Sequence, residues 1–353
     1  MSAKSSDANS EEETAEPLHP RATSALFGHA VAEAAFLGAY RSGRVPHAFL
    51  IVGPKGIGKA TLAYRIARFV LTHPDPSASA VQNATSLAVD ANVPAARRIA
   101  AQAQGDLLVL ERTPNEKGVL RQQIAVDDVR RTVSFFGSTA GEGGWRVAIV
   151  DAVDELNRSS ANALLKVLEE PPQRALLLLV SHVAGRVPPT LRSRCRVIAL
   201  RPLAQPDVIE ALAAAGAMSA SDPKVAAAAA AAEGSVARAL ALLDTGALAL
   251  RRQALDLLDE LPALDADGLH ALGDALAGTD PQPLASFIDT VNAWLSSRLD
   301  REGGQGGEIG RLARLAEVWE RINQAARDAA EYNLERKPLV FNVFGLLAEA
   351  TRR

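Results

Sequence analysis

Ala48-Phe49-Leu50-Ile51-Val52-Gly53-Pro54-Lys55-Gly56-Ile57-Gly58-Lys59-Ala60-Thr61 sets a short apolar run, a glycine-rich turn and the start of a helical pattern in succession. The run Ala48 to Val52 is bounded by turn residues and predicts a buried strand. Gly53 to Gly58 predicts a turn, and Lys59 to Leu71 a helix. Strand, glycine loop and helix in that order are the setting in which Gly-x-x-x-x-Gly-Lys cradles phosphate. Its glycines let backbone N–H groups wrap the phosphates, and the helix N-terminus adds its positive end. Gly53, Gly56, Gly58 and Lys59 are therefore candidate nucleotide-binding residues, with Lys59 reaching the β- and γ-phosphates. The next position usually carries a hydroxyl for Mg²⁺, but here it is Ala60, with Thr61 one place late. One step along a helix turns a side chain by roughly 100°, so Thr61 is a displaced candidate. Two readings stay open: a degenerate cradle for ATP or ADP, and a glycine turn that no longer binds nucleotide. Neither supports productive Mg²⁺-dependent hydrolysis.

Further strands are predicted at Leu107–Leu110, Arg146–Val150, Leu176–Val180 and Val197–Leu200. Between them Ala30–Tyr40 and Asn157–Glu170 read as helices, the second stopped by Pro171-Pro172. His73–Ala91, rich in Pro, Ser, Ala and Asn, reads as a loop or partly ordered insert. Apolar strands alternating with helices predict an α/β fold, a parallel sheet covered on both faces. Past Leu203 strand signals vanish, and periodic Leu/Ala segments predict helices to the end. The expected segments are an acidic disordered tail at 1–20, the sheet domain at 21–203, a helical lid at 204–248 and an all-α domain at 249–353.

Val147-Ala148-Ile149-Val150-Asp151 offers a second strand-end carboxylate, with Asp151 placed for a Mg²⁺ shell. A hydrolysing site would follow it with a Glu that polarises water, and this chain has Ala152. Asp154-Glu155 could instead be the acidic pair. Asp151 itself breaks the apolar run ahead of Asp154, so the first register is preferred.

Composition narrows the function classes. Apolar residues make up 48% of the 353 and aromatics only 4%, so a core must be built from Ala, Leu and Val, which suits helices. A net charge of −3 gives no global basic field for nucleic acid. The single cysteine, Cys195, excludes a disulfide framework and a thiolate-cluster zinc site, and the six histidines have no metal-ligand spacing. No run is long and apolar enough to span a membrane, so a cytoplasmic chain is expected.

His47-Ala48-Phe49-Leu50, the Gly53–Thr61 loop, Asp151, the block Asn162-Ala163-Leu164-Leu165-Lys166-Val167-Leu168-Glu169-Glu170-Pro171-Pro172 and Ser193-Arg194-Cys195 follow one another in this order. Together they resemble the clamp-loader branch of the AAA+ ATPases. The weakened loop and the missing Glu resemble its delta-prime subunits, part of bacterial DNA polymerase III. Asn333-Leu334-Glu335-Arg336-Lys337 looks like the alphaproteobacterial kind. The resemblance implies a RecA-like AAA+ sheet with a helical lid and a C-terminal collar that oligomerises. It implies a non-motor, stator-like subunit whose partners are the gamma/tau motor subunits and a delta subunit. The assembly would place a sliding clamp on primed DNA, and the chain would have no ATPase activity of its own. The family's four-cysteine zinc module has no counterpart after Leu71, so no zinc is expected. Arg238 stands one residue late for the family's nucleotide sensor in the lid, and the sensor after the fourth strand falls on Ser181 or His182.

In this family the Arg of the Ser-Arg-Cys triplet is an arginine finger that reaches the γ-phosphate held by the adjacent subunit. The resemblance therefore implies a catalytic role in trans for Arg194. The plainer reading of Arg192, Arg194 and Arg196 is a solvated or DNA-facing basic edge. Two rivals from other classes are an active ATPase motor and a small-molecule P-loop kinase. Lesser features have ordinary readings: Trp145 packs at a strand start, Asp127-Asp128 lies at a helix N-terminus, Ala226–Ala232 is a helical spacer, and Cys195 is a small apolar filler.

Overall fold

The computed structural model describes residues 19–113, 121, 123–124, 126–137, 144–243, 246–278, 280–304, 309–332 and 334–352. The acidic segment expected at 1–20 therefore lies almost wholly outside the described residues, as does Asn333. Two compact units are present, Met1–Ala239 and Leu240–Arg353.

The first unit holds helices α1 (Ala30–Arg41), α2 (Lys59–Thr72), α3 (Ser79–Gln82), α4 (Pro94–Ala100), α5 (Val126–Gly137), α6 (Arg158–Glu169), α7 (Pro189–Arg192), α8 (Gln205–Ala214) and α9 (Pro223–Ala231). Its strands are β1 (Ala48–Val52), β2 (Leu107–Glu111), β3 (Arg146–Asp151), β4 (Ala175–Ser181) and β5 (Arg196–Ala199). They form one parallel sheet in the order β2-β3-β4-β1-β5, with Phe49 opposite Leu178 and Ile149 opposite Leu178 on its two sides. This is the expected RecA-like AAA+ sheet. The order reverses between β1 and β4, and crevices at the carboxyl ends of such neighbours are where open α/β sheets take ligands.

Side chains alternate across a strand, and here both faces are buried. Phe49, Ile51, Val147, Ile149, Leu176 and Leu178 enter one core with Phe36, Leu62 and Ile66 of α1 and α2. Leu50, Ala148, Val150, Leu177 and Leu179 enter the other with Val129, Phe136, Leu164, Leu168 and Leu191 of α5, α6 and α7. That is why the strands read as unbroken apolar runs rather than alternations. α6 starts where the Asn157 side chain accepts the Ser160 N–H and stops at Glu170 before the two prolines. Of the two expectations for the insert after α2, a loop or a partly ordered segment, order prevails: Val81 and Leu87 are fully buried, and the Leu87 N–H donates to Glu33. Two apolar side chains entering the core fix it, and two isolated residues carry no periodic signal. Trp145 packs tilted against Tyr40 and donates to the Pro74 carbonyl. Asp127 and Asp128 lie in the first turn of α5, paired with Arg130 and Arg131.

α10 (Val236–Leu243) crosses the boundary between the units. The second unit is helical: α11 (Ala247–Asp259), α12 (Ala266–Ala275), α13 (Pro281–Gly304), α14 (Ile309–Glu331) and α15 (Arg336–Thr351). Leu258, Leu272, Phe287, Val291, Ile322, Val343 and Phe344 form its own core. Asn292 and Asn323 face each other there and exchange two amide hydrogen bonds of 3.0 Å. No described helix is long and apolar enough to cross a membrane.

Candidate functional site

The glycine loop joins β1 to α2 at the carboxyl edge of the sheet, as the sequence predicts. Its carbonyls are tied down from three directions. The Lys59 ammonium donates to Pro54 O at 2.5 Å, His29 Nε2 meets Ile57 O at 2.7 Å, and Ala237 N–H donates to Gly56 O at 3.3 Å. Gly56 has φ +78°, and a Cβ there would stand 2.3 Å from Ser235 Oγ and 2.7 Å from Ala237 Cβ. Only glycine allows the loop and the segment leading into α10 to approach so closely. Gly53 and Gly58 flank this contact in positive φ as well.

Lys59 is buried, and burial pulls its ammonium down to about 8 despite the attraction of Asp151 and Asp154. Asp151 ends β3. Burial pushes its carboxyl up to about 6; Lys59 opposes that rise, while Glu111, Glu155 and Asp154 add to it. Lysine and aspartate thus lie within electrostatic reach of each other, in buried surroundings that favour neither charge. Ala60 and Thr61 lie half-buried at the start of α2, and Ala152 is buried beyond Asp151. Ala60 and Ala152 set methyl groups where a metal ligand and a water-orienting carboxylate would stand, and a methyl can serve as neither.

Asp154 has a different duty from Asp151. Its carboxylate accepts the backbone N–H groups of His182 at 3.0 Å and Val183 at 3.0 Å, and so holds the turn after β4. Glu155 pairs with Arg112 at 2.8 Å. Ser181 is fully buried, and its Oγ and His182 Nδ1 have no hydrogen-bond partner among the described residues. Burial lowers the His182 pKa, and so does Lys59 nearby.

Arg194 lies apart from these residues, between α7 and the edge strand β5. Its Nη1 donates to Thr190 O at 2.9 Å and its Nη2 pairs with Glu169 Oε1 at 2.8 Å. The side chain remains more than a third exposed, and Arg192 and Arg196 are also exposed. Cys195 is half-buried against the α6–α7 core, and burial pushes its thiol up to about 11. It is a packing residue, not a nucleophile. Arg238 pairs with Glu233 at 3.0 Å. The structure therefore sets Gly53, Gly56, Gly58, Lys59 and Thr61 on the β1–α2 junction, brings Lys59 within electrostatic reach of Asp151, and leaves Arg194 elsewhere, between α7 and β5. Sequence reasoning did not find His29, Ser235, Ala237 or Glu169, since each meets its partner only through the fold.

A family model described as "DNA polymerase III, delta subunit" matches residues 28–204, half of the chain. The chain is 39% identical over 149 residues to DNA polymerase III subunit delta' of Pseudomonas aeruginosa, covering 42% of this chain and 41% of that protein. It is 28% identical over 201 residues to DNA polymerase III subunit gamma of Buchnera aphidicola, covering 55% and 48%. With DNA polymerase III subunit tau of Escherichia coli it shares 30% identity over 161 residues, covering 46% and 22%. The chain spans less than half the length of each of these curated relatives.

Proposed function

The chain belongs to the DNA polymerase III delta-subunit family, as a delta-prime-like member of the clamp loaders, and we propose that it is a non-motor, stator-like subunit supplying Arg194 to a neighbour's nucleotide. Gamma or tau motor subunits and a delta subunit would be its partners, and the assembly would place a sliding clamp on primed DNA. In this reading α8–α10 are the lid and the helices from 249 onward the oligomerising collar. The observation that carries the reading is the closed glycine loop. Lys59 is engaged by Pro54 O, and Ser235 and Ala237 lie against Gly56. With Ala60 and Ala152 in addition, these residues do not fit a Mg²⁺-nucleotide, and no hydrolytic step is assigned to them. Arg194 supports the second half of the reading. It is exposed, carries a permanent positive charge and presents a planar fork suited to phosphate.

Steady-state ATP hydrolysis tests it in a complex reconstituted from this chain and the gamma or tau and delta subunits of the same organism, with clamp and primed DNA present. A finger in trans is worth about 10³–10⁵ in rate at its own site. Arg194→Ala should lower total turnover by the share of that site, and Arg194→Lys nearly as much. Arg192→Ala and Arg196→Ala should leave it unchanged. Equal, salt-sensitive losses at all three arginines would instead mean a DNA-facing basic edge. The similarity to gamma and tau proteins favours a second reading, an active motor. ATP turnover of about 1 s⁻¹ or more by the isolated chain, within the ordinary enzyme range, would establish that one in its place.

A further inference from the structure

Glu169 is the last residue of α6, in the block that ends at Pro171-Pro172, and sequence reading gave it no role. A carboxylate at a helix C-terminus faces the negative end of the helix dipole, a place that favours cations. Lys166 in the same turn answers that preference, and Glu169 goes against it. Its carboxylate instead reaches Arg194 Nη2 at 2.8 Å, while Thr190 O takes Nη1 at 2.9 Å. α7, which ends at Arg192, packs on α6, so these two anchors come from adjoining helices. A guanidinium has five N–H donors, and these two bonds leave three for another acceptor. A loose arginine gives up rotamer freedom when it reaches a phosphate, and one already held gives up less.

We propose that Glu169 is a positioning residue, which together with the Thr190 carbonyl sets the Arg194 guanidinium in the plane and direction from which it meets the neighbouring subunit's nucleotide. The inference rests on the reading of Arg194 as a finger in trans. Glu169 touches no substrate and acts only through Arg194.

The reconstituted complex separates the two claims. Glu169→Gln, which keeps the shape and removes the charge, should lower that one site's contribution to kcat about two- to fivefold, the worth of a partly exposed ion pair, so that total turnover falls by less than in Arg194→Ala, and leave KM for ATP unchanged. Glu169→Asp should recover part of that loss. Glu169→Gln combined with Arg194→Ala should be no slower than Arg194→Ala alone. Glu170→Gln, one residue on, should match the unsubstituted complex and so separate pairing from helix-end charge. Three outcomes would overturn the inference while leaving the finger in place: an unchanged or faster rate in Glu169→Gln, an additive loss in the double variant, or an equal loss in Glu170→Gln. An unchanged rate in Arg194→Ala would remove the finger itself, and the inference with it.

Discussion

The glycine loop and the edge at Arg194 handle the same kind of group, a cation suited to phosphate, in opposite ways. At the loop the fold has turned the cation inward: Lys59 is buried, its ammonium pulled down to about 8, and it donates to its own loop's carbonyl. At the edge the cation stays outward, exposed between α7 and β5, and is held by a carboxylate and a carbonyl. Lysine loses charge readily when buried and arginine keeps it. The side chain that keeps its charge is the one the fold leaves at the surface. A loop can thus hold its lysine against its own backbone, while an arginine more than a hundred positions away stays exposed.

The comparison breaks most forcefully at Gly234, just ahead of the Ser235–Ala237 segment that covers the loop. Gly234 has φ +79°, and a Cβ there would lie 2.5 Å from Leu203 N and 2.6 Å from Leu203 O. Gly234→Ala should destabilise the first unit by about 2–4 kcal/mol, since backbone cannot yield as a flexible side chain can. A urea midpoint equal to that of the unsubstituted chain would show that the segment is not fixed against the loop.

A smaller effect sharpens the electrostatic half. Asp151 has its carboxyl raised from 3.8 to about 6, so the folded chain binds that proton more tightly than the unfolded one. The stability this gives is complete below about pH 4 and lost as pH rises through 6. Asp151→Asn stays neutral and avoids the loss. Between pH 4 and 7 its unfolding free energy should gain on the unsubstituted chain by about 2 kcal/mol. Parallel urea curves at the two pH values, with no change in their separation, would contradict an uncomfortably buried carboxylate.

The smallest effect belongs to the edge. Arg194→Ala should change thermal stability by no more than about 0.5 kcal/mol, as surface substitutions generally do. A large loss would make Arg194 a structural residue, not one held ready for a partner.

Much of the sheet was legible because both faces are buried, so strands such as Leu176–Val180 stand out as apolar runs without any periodicity. The end of α6 was legible too, through the paired prolines. Val81 and Leu87 were not, because a lone apolar residue in a polar insert shows its burial only once α1 and α2 are in place. Of the two acidic readings at β3, the Asp154 carboxylate is engaged by contacts distant in sequence, His182 and Val183, 28 and 29 residues on. The glycine loop and the strand-end Asp151 could be anticipated from the sequence. What closes the loop could not, since His29 and Ala237 come from opposite ends of the first unit.

β5 forms one border of the sheet, pairs only with β1 and leaves Arg196, Val197 and Ala199 exposed. An unpaired strand border can recruit another copy of itself and seed aggregates. This one is four residues long and begins with a charged side chain, next to the exposed Arg192 and Arg194. Short length and charge are features that blunt a strand border. Arg196→Val would make the border apolar along its length, and turbidity rising with concentration in that variant would be the sign that the guard had gone.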